Sequence, residues 1–229
     1  MMVLRNELTG VRLFATWLGT TVLLACAGCG ADPVTSMIGE LQDEDVQVRR
    51  AAAQSLADMG LEAAPAVLAL SRAIDDDDRE VRRLVLLAIS QVGPPALSHL
   101  PSIKRALDDN ELSVRIAAAF AVGRLDPDDK GHQRILIDAM RAGEGGIIVR
   151  VGQLGESAEW AVPTLIELLG DQRPGIRRIT ADALERIGPV AIAAKPTLIR
   201  LVTDDPEESV RDAAQRALGW MNTPVTPGP

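Results

Sequence analysis

The 229-residue chain has no tyrosine, two phenylalanines and three tryptophans. A core built on aromatic rings is excluded, so alanine and leucine must fill it, and small side chains suit helices that approach closely. There are two cysteines, Cys26 and Cys29, and none follows. A disulfide-stapled scaffold would spread an even set through its folded part. The two histidines, His99 and His132, belong to no His-x-x-x-His or His-Glu arrangement. Clustered imidazole or thiolate ligands are therefore missing, and no metal or cofactor is expected. Positive charge is also short, with 24 Lys and Arg against 32 Asp and Glu and a net charge of −8. Nucleic acid is a poor partner for such a chain, because its binding rests on a basic face.

Two glycine- and acid-rich stretches fail as sites. Residues 143–146 lack the Lys-Ser/Thr of a phosphate loop. The acidic run 75–78 lacks the spaced ligands and glycine of a calcium loop. It reads as capping and solvated charge, so Asp78 is expected to matter little for stability. No catalytic residue is assigned, and the chain is expected not to be an enzyme.

What the sequence does contain is a repeat. An acidic residue precedes an Arg by six positions in Asp43/Arg49, Asp76/Arg82, Asp109/Arg115, Glu144/Arg150, Asp171/Arg177 and Asp205/Arg211, each Arg following Val or Ile. Successive Arg residues are 33, 33, 35, 27 and 34 apart. A period of thirty-odd residues marks a solenoid, whose units bury their apolar faces only by stacking. With 47% hydrophobic and 24% charged residues, the chain is long enough for a continuous core.

The third unit shows the grammar. Pro101 suits a first helical turn, where its missing N–H costs nothing. Asp108, Asp109 and Asn110 supply turn and N-cap chemistry. Val114, Ala117, Ala118, Ala121, Val122 and Leu125 recur on one stripe of a second helix. Pro65, Pro163 and Pro196 open other first helices, and Gly60, Gly93 and Gly188 close second helices. The fourth unit departs from this. Its second helix should be about six residues short, nearly two turns, after a long polar connection from Leu125 to His132.

This pattern resembles HEAT repeats, and in particular the short HEAT-like units associated with phycobilin lyases. The resemblance covers about residues 37–221 and implies an all-α, right-handed solenoid of about six HEAT-like helical hairpins. It implies that the six acid/Arg pairs form a structural ladder, bidentate to carboxylates and turn carbonyls of the same or the next unit. It also implies that one edge of each second helix lines a concave binding face. On that edge, Leu86, Leu87, Ile116 and Phe120, with Arg83, form an apolar strip expected to bind a partner, so losing Leu87 and Phe120 should abolish binding and spare the fold. A bilin lyase-like activity, or an accessory subunit of such an enzyme, is the alternative function.

The first stretch stands outside the repeat. Arg5 and Arg12 precede an uncharged apolar run at 13–24, which ends in small residues around Cys26 and Cys29. This is the order of an export signal, and it resembles a bacterial lipobox. Two registers remain open. Cys26 has Leu23 three residues before it, and Cys29 has the Ala27-Gly28 pair just before it. The expected organisation is a lipoprotein-type signal peptide at 1–28, a short linker at 29–36 and a repeat domain at 37–222, irregular at about 126–160. A disordered Pro-rich tail follows at 223–229. The expectation is an exported monomer, lipid-anchored to a membrane at the cell envelope, facing the periplasm or the surface and scaffolding an unidentified protein partner.

Overall fold

The computed structural model describes residues 32–221, with side chains through Gly219. The expected signal peptide, both candidate lipid acceptors Cys26 and Cys29, and the tail at 223–229 lie outside the described residues. The described helices pair into six hairpins: α1 (Pro33–Glu40) with α2 (Val46–Met59), α3 (Val67–Ala73) with α4 (Arg79–Val92), α5 (Leu100–Arg105) with α6 (Leu112–Leu125), α7 (Lys130–Arg141) with α8 (Gly145–Gly152), α9 (Val162–Leu168) with α10 (Pro174–Ile187), and α11 (Lys195–Asp204) with α12 (Glu208–Met221). No strand occurs among the described residues. Helix α1 already begins at Pro33, inside the linker expected at 29–36. Asp32 caps α1 by accepting from the Val34 N–H at 3.3 Å, and Pro33 takes a first-turn position.

Four of the six units enter their first helix through 3-10 turns, at Gly60–Ala66, Pro94–His99, Gly155–Ala161 and Gly188–Ala194. Each entry follows or contains a glycine in the left-handed region, for example Gly60 at φ 57° and Gly188 at φ 81°. A side chain there would be strained, which is why glycine ends these second helices. These 3-10 turns bury alanine completely: Ala63 and Ala66, Ala96, Ala158 and Ala161, and Ala191 and Ala194. Pro101, Pro163 and Pro196 open α-helices as expected, whereas Pro65 lies inside the 3-10 turn before α3.

Second helices stack on second helices: α2 on α4, α4 on α6, α8 on α10 and α10 on α12. Their contact stripes are rich in buried alanine, such as Ala52 and Ala53, Ala117 and Ala118, and Ala213 and Ala214. The core divides at α6. Val114, Ala117, Ala118, Ala121 and Val122 belong to the first half, while Ala119 and Phe120 belong to the second.

Unit four follows that division. Helix α8 has 8 residues where the other five second helices have 14. Gly152 ends it against α10, so closely that a Cβ there would stand 2.8 Å from the Ala183 Cα. The preceding α7 carries His132, 1% exposed and edge-on to Trp160 with ring centres 5.7 Å apart. Its Nδ1 is 3.9 Å from an Asp129 oxygen and has no hydrogen-bond partner among the described residues.

Burial holds the His132 imidazole below its ordinary pKa. Asp129 and Asp126 oppose this shift in part, both being drawn to Lys104 at 2.7 and 2.9 Å, while Lys130 adds to it. The unfolded chain therefore binds this proton more readily than the folded one. Stability from this group is fully present above about pH 6.5 and is lost as pH falls below it. Thermal melts between about pH 7.5 and 5.5 should show that decline, and His132→Phe should flatten it. An unchanged slope in His132→Phe would remove the imidazole from the explanation.

Candidate binding face

The acid/Arg pairs build a ladder between successive units. Arg177 donates through Nε and Nη2 to both Asp205 oxygens at 2.7 and 2.9 Å, and through Nη1 to the carbonyls of Asp171 and Gln172 at 2.8 and 3.1 Å. Arg49 repeats this with Asp76 and the Asp43 and Glu44 carbonyls. Arg82 repeats it with Asp109 and the Asp76 and Asp77 carbonyls. Each of these aspartates also accepts the N–H two residues on, as in Asp205 from Glu207 at 3.0 Å. One carboxylate thus shapes its own turn and receives the previous unit's arginine. Arg177 pulls the Asp205 carboxyl below the usual range, against the effect of burial.

The ladder stops on both sides of unit four: Arg115 donates only to the Asp109 and Asn110 carbonyls, and Asp171 is held by Arg173 and not by Arg150. Arg211, in the last hairpin, holds only the carbonyls of Asp205 and Pro206. The Glu144/Arg150 pair does not join the ladder, and helix registration explains why. In the other five units the residue before the second helix stands four positions ahead of the ladder arginine: Asp45, Asp78, Glu111, Arg173 and Glu207. In unit four it is Glu144, six positions ahead of Arg150. Helix α8 begins two residues early, so the turn carbonyls that Arg150 would meet are spent inside the helix. Asp171 turns instead to Arg173, at 2.9 Å from both Nε and Nη2, which lowers its pKa to about 2.

A second bridge between units was not expected. Arg50 donates to both Asp78 oxygens at 2.8 and 2.6 Å, and the same carboxylate caps α4 through the Glu80 and Val81 N–H groups. The Arg50 guanidinium holds Asp78 well below the usual carboxylate range. Asp78 is therefore not merely a solvated member of an acidic run, because the fold of the first unit brings Arg50 onto it. Asp78→Ala should cost about 1–2 kcal/mol in thermal or urea melts, as the loss of an N-cap does.

The apolar strip is likewise corrected. Leu86 is fully buried and Phe120 is 4% exposed. Leu87 and Ile116 are half-buried and packed against the core, and Arg83 is ion-paired to Glu80 at 2.6 Å. The register of the strip is sound, but its inner positions face the next second helix. Ala53, Leu86, Ala119 and Ala181 fill that seam, and α8 brings Arg150 over the Phe120 ring at 3.8 Å.

What the second helices leave open is a charged strip. Gln54 and Asp58 on α2, Gln91 on α4, Arg124 on α6, Arg178 and Arg186 on α10, and Asp212 and Arg216 on α12 are exposed. Arg216 reaches across to Asp182 at 2.8 Å and to Glu185 at 3.6 Å, and Arg178 meets Asp182 at 3.3 Å. Asp182, Glu185, Arg186 and Arg216 line a groove of about 630 Å³ bounded by Gly155, Glu156, Gly188 and Pro189. A smaller hollow of about 210 Å³ lies between Val149 and Arg186. This groove in units four to six is missed by a search for exposed apolar residues, because its walls are ion pairs. Among the described residues no group of His, Cys, Asp and Glu could hold a metal ion, and no helix is long and apolar enough to cross a membrane.

Residues 147–219 match the family of HEAT repeats. The described residues fold as an α-solenoid. It is similar to the complex of CpcE and CpcF of phycocyanin lyase from Nostoc sp. PCC7120, at TM-score 0.55 and 20% identity, over 89% of this chain and 82% of that one. A crystallised engineered protein from a structural genomics consortium gives TM-score 0.54 at 19% identity, over 83% of this chain and 97% of that one. A designed armadillo repeat protein gives TM-score 0.50 at 19% identity, over 82% and 99%. At these identities the likeness is one of fold. In sequence, 81 residues are 33% identical to mouse serine/threonine-protein kinase 36, covering 32% of this chain and 6% of that protein. The chain therefore spans a small fraction of the curated relative it matches.

Proposed function

We propose that this chain is a non-catalytic scaffold that binds a protein partner along its second-helix face. The observation that carries the reading is the open charged strip with its groove at Asp182, Glu185, Arg186 and Arg216. Such a surface offers many polar contacts from a rigid stack and gathers no set of reacting groups. The CpcE–CpcF structure, a complex of two subunits, supports association as a use for this fold. The charge-then-apolar-then-cysteine order of the first 29 residues supports export and a lipid anchor on Cys29 or Cys26. Without residues 1–28 the chain carries 22 basic and 31 acidic residues, net −9. An anionic bilayer would repel that body, so lipid and not charge would hold it at the envelope.

Site-specific photo-cross-linking tests the reading. A photoreactive residue at Gln91 or Arg186 should give a discrete protein adduct in envelope fractions. One at Leu68, exposed on a first helix, should not. Adducts from Leu68 alone would move the interface to the first helices. A change in absorbance when free bilin is added would favour a lyase instead.

A further inference from the structure

We infer that Arg150, where it lies over Phe120, receives a single carboxylate from the protein partner, with Arg83 beside it. The inference rests on the scaffold reading above and names the chemistry of one contact in it.

Arg150 is the one ladder arginine among the described residues that donates to neither a turn carbonyl nor a carboxylate. The other five all hold the carbonyls six and five residues before them. The early start of α8 takes those carbonyls away and directs the side chain across the stack to α6, with its guanidinium carbon 3.8 Å from the Phe120 ring centre. Phe120 is itself buried, so the guanidinium lies half-buried on an apolar floor. A ring face attracts the cation but leaves its in-plane N–H donors unspent. Burial and the nearby charge of Arg83 both disfavour the protonated form of Arg150. The chain has 32 acidic side chains, and none of the described ones reaches this cation.

The surrounding charges select the ligand. Arg83 is held by Glu80 at 2.9 and 2.6 Å. That pair cancels, which leaves one unmatched positive charge at Arg150. A carboxylate carries one negative charge and fits the guanidinium fork with two parallel hydrogen bonds. A doubly charged phosphate would exceed that one unmatched positive charge. At physiological salt these local charges outweigh the distant acidic surface, because screening acts within about 8 Å.

Side-chain nitrogen NMR of the full chain tests this. The Arg150 Nε–H resonance is followed while a blocked tripeptide with a central glutamate is added, and then its glutamine counterpart. We expect a saturable shift in the millimolar range for the glutamate peptide and binding at least about tenfold weaker for the glutamine one. Arg150→Gln should abolish the response of the remaining arginine resonances, and Arg150→Lys should weaken it. Equal shifts with both peptides, no saturation, or tighter binding of inorganic phosphate would overturn the inference. If Arg150→Gln unfolds, the comparison of the two peptides on the unmodified chain still decides. Cross-links from Gln91 and Arg186 that persist without glutamate binding would leave the scaffold reading standing alone. Glutamate binding with cross-links only from Leu68 would do the reverse.

Discussion

Phe120→Ala is expected to destabilise the fold by about 3–5 kcal/mol, the usual loss for a buried aromatic ring. The side chain is 4% exposed and belongs to the second half of the core, with Arg150 lying over it. Its removal opens a cavity between α6 and α8 and takes away the ring on which Arg150 rests. Urea and thermal melts should show the loss, with the midpoint temperature falling by roughly 10 °C for a chain of this size. Leu86→Ala, at the fully buried seam between α4 and α6, should behave alike at about 2–5 kcal/mol. Leu97→Ala, on a side chain 50% exposed, should stay within about 0.5 kcal/mol. A Phe120→Ala protein that melts like the parent would mean that α8 does not close over this ring.

Arg177→Ala is the second large effect. The side chains of Arg177 and Asp205 are 11% and 3% exposed, and their two hydrogen bonds join unit five to unit six. Removing the arginine strands a buried carboxylate and two turn carbonyls, which should cost about 3 kcal/mol. Arg115→Ala removes bonds to carbonyls alone, because the Asp109 carboxylate is held by Arg82. It should cost nearer 1 kcal/mol. Arg177→Ala and Asp205→Ala combined should cost less than the sum of the two, since each alone leaves the other unpaired. Equal losses for Arg177→Ala and Arg115→Ala would show that the carboxylate rung adds nothing beyond the carbonyl contacts.

The repeat was legible because every unit solves the same problem. Each second helix must bury one stripe and each turn must satisfy its own carbonyls, so Asp, Val or Ile, and Arg recur at fixed spacing. The length of α8 was legible for the same reason, since Gly155 marks the end of the unit as Gly60 and Gly188 do elsewhere. The open edge was not legible from spacing. Leu86 and Leu87 are neighbours in sequence, and which of them meets the next helix depends on how far one unit rotates against another. Asp78 posed the same difficulty. Four consecutive aspartates look alike until the fold sets Arg50 against one of them.

The sequence by itself determined an all-helical stack of six hairpins, the places where its helices end, and the unit where the pattern breaks. These follow from periodic burial and from backbone conformations that only glycine adopts easily. The tertiary structure alone decided which side chains the stack leaves uncovered. A start two residues early in α8 cost the ladder its fourth arginine and laid Arg150 over Phe120. The core divides at α6, ahead of this short helix. Contacts between units depend on rotation and registration between helices, and no single repeat encodes either of them.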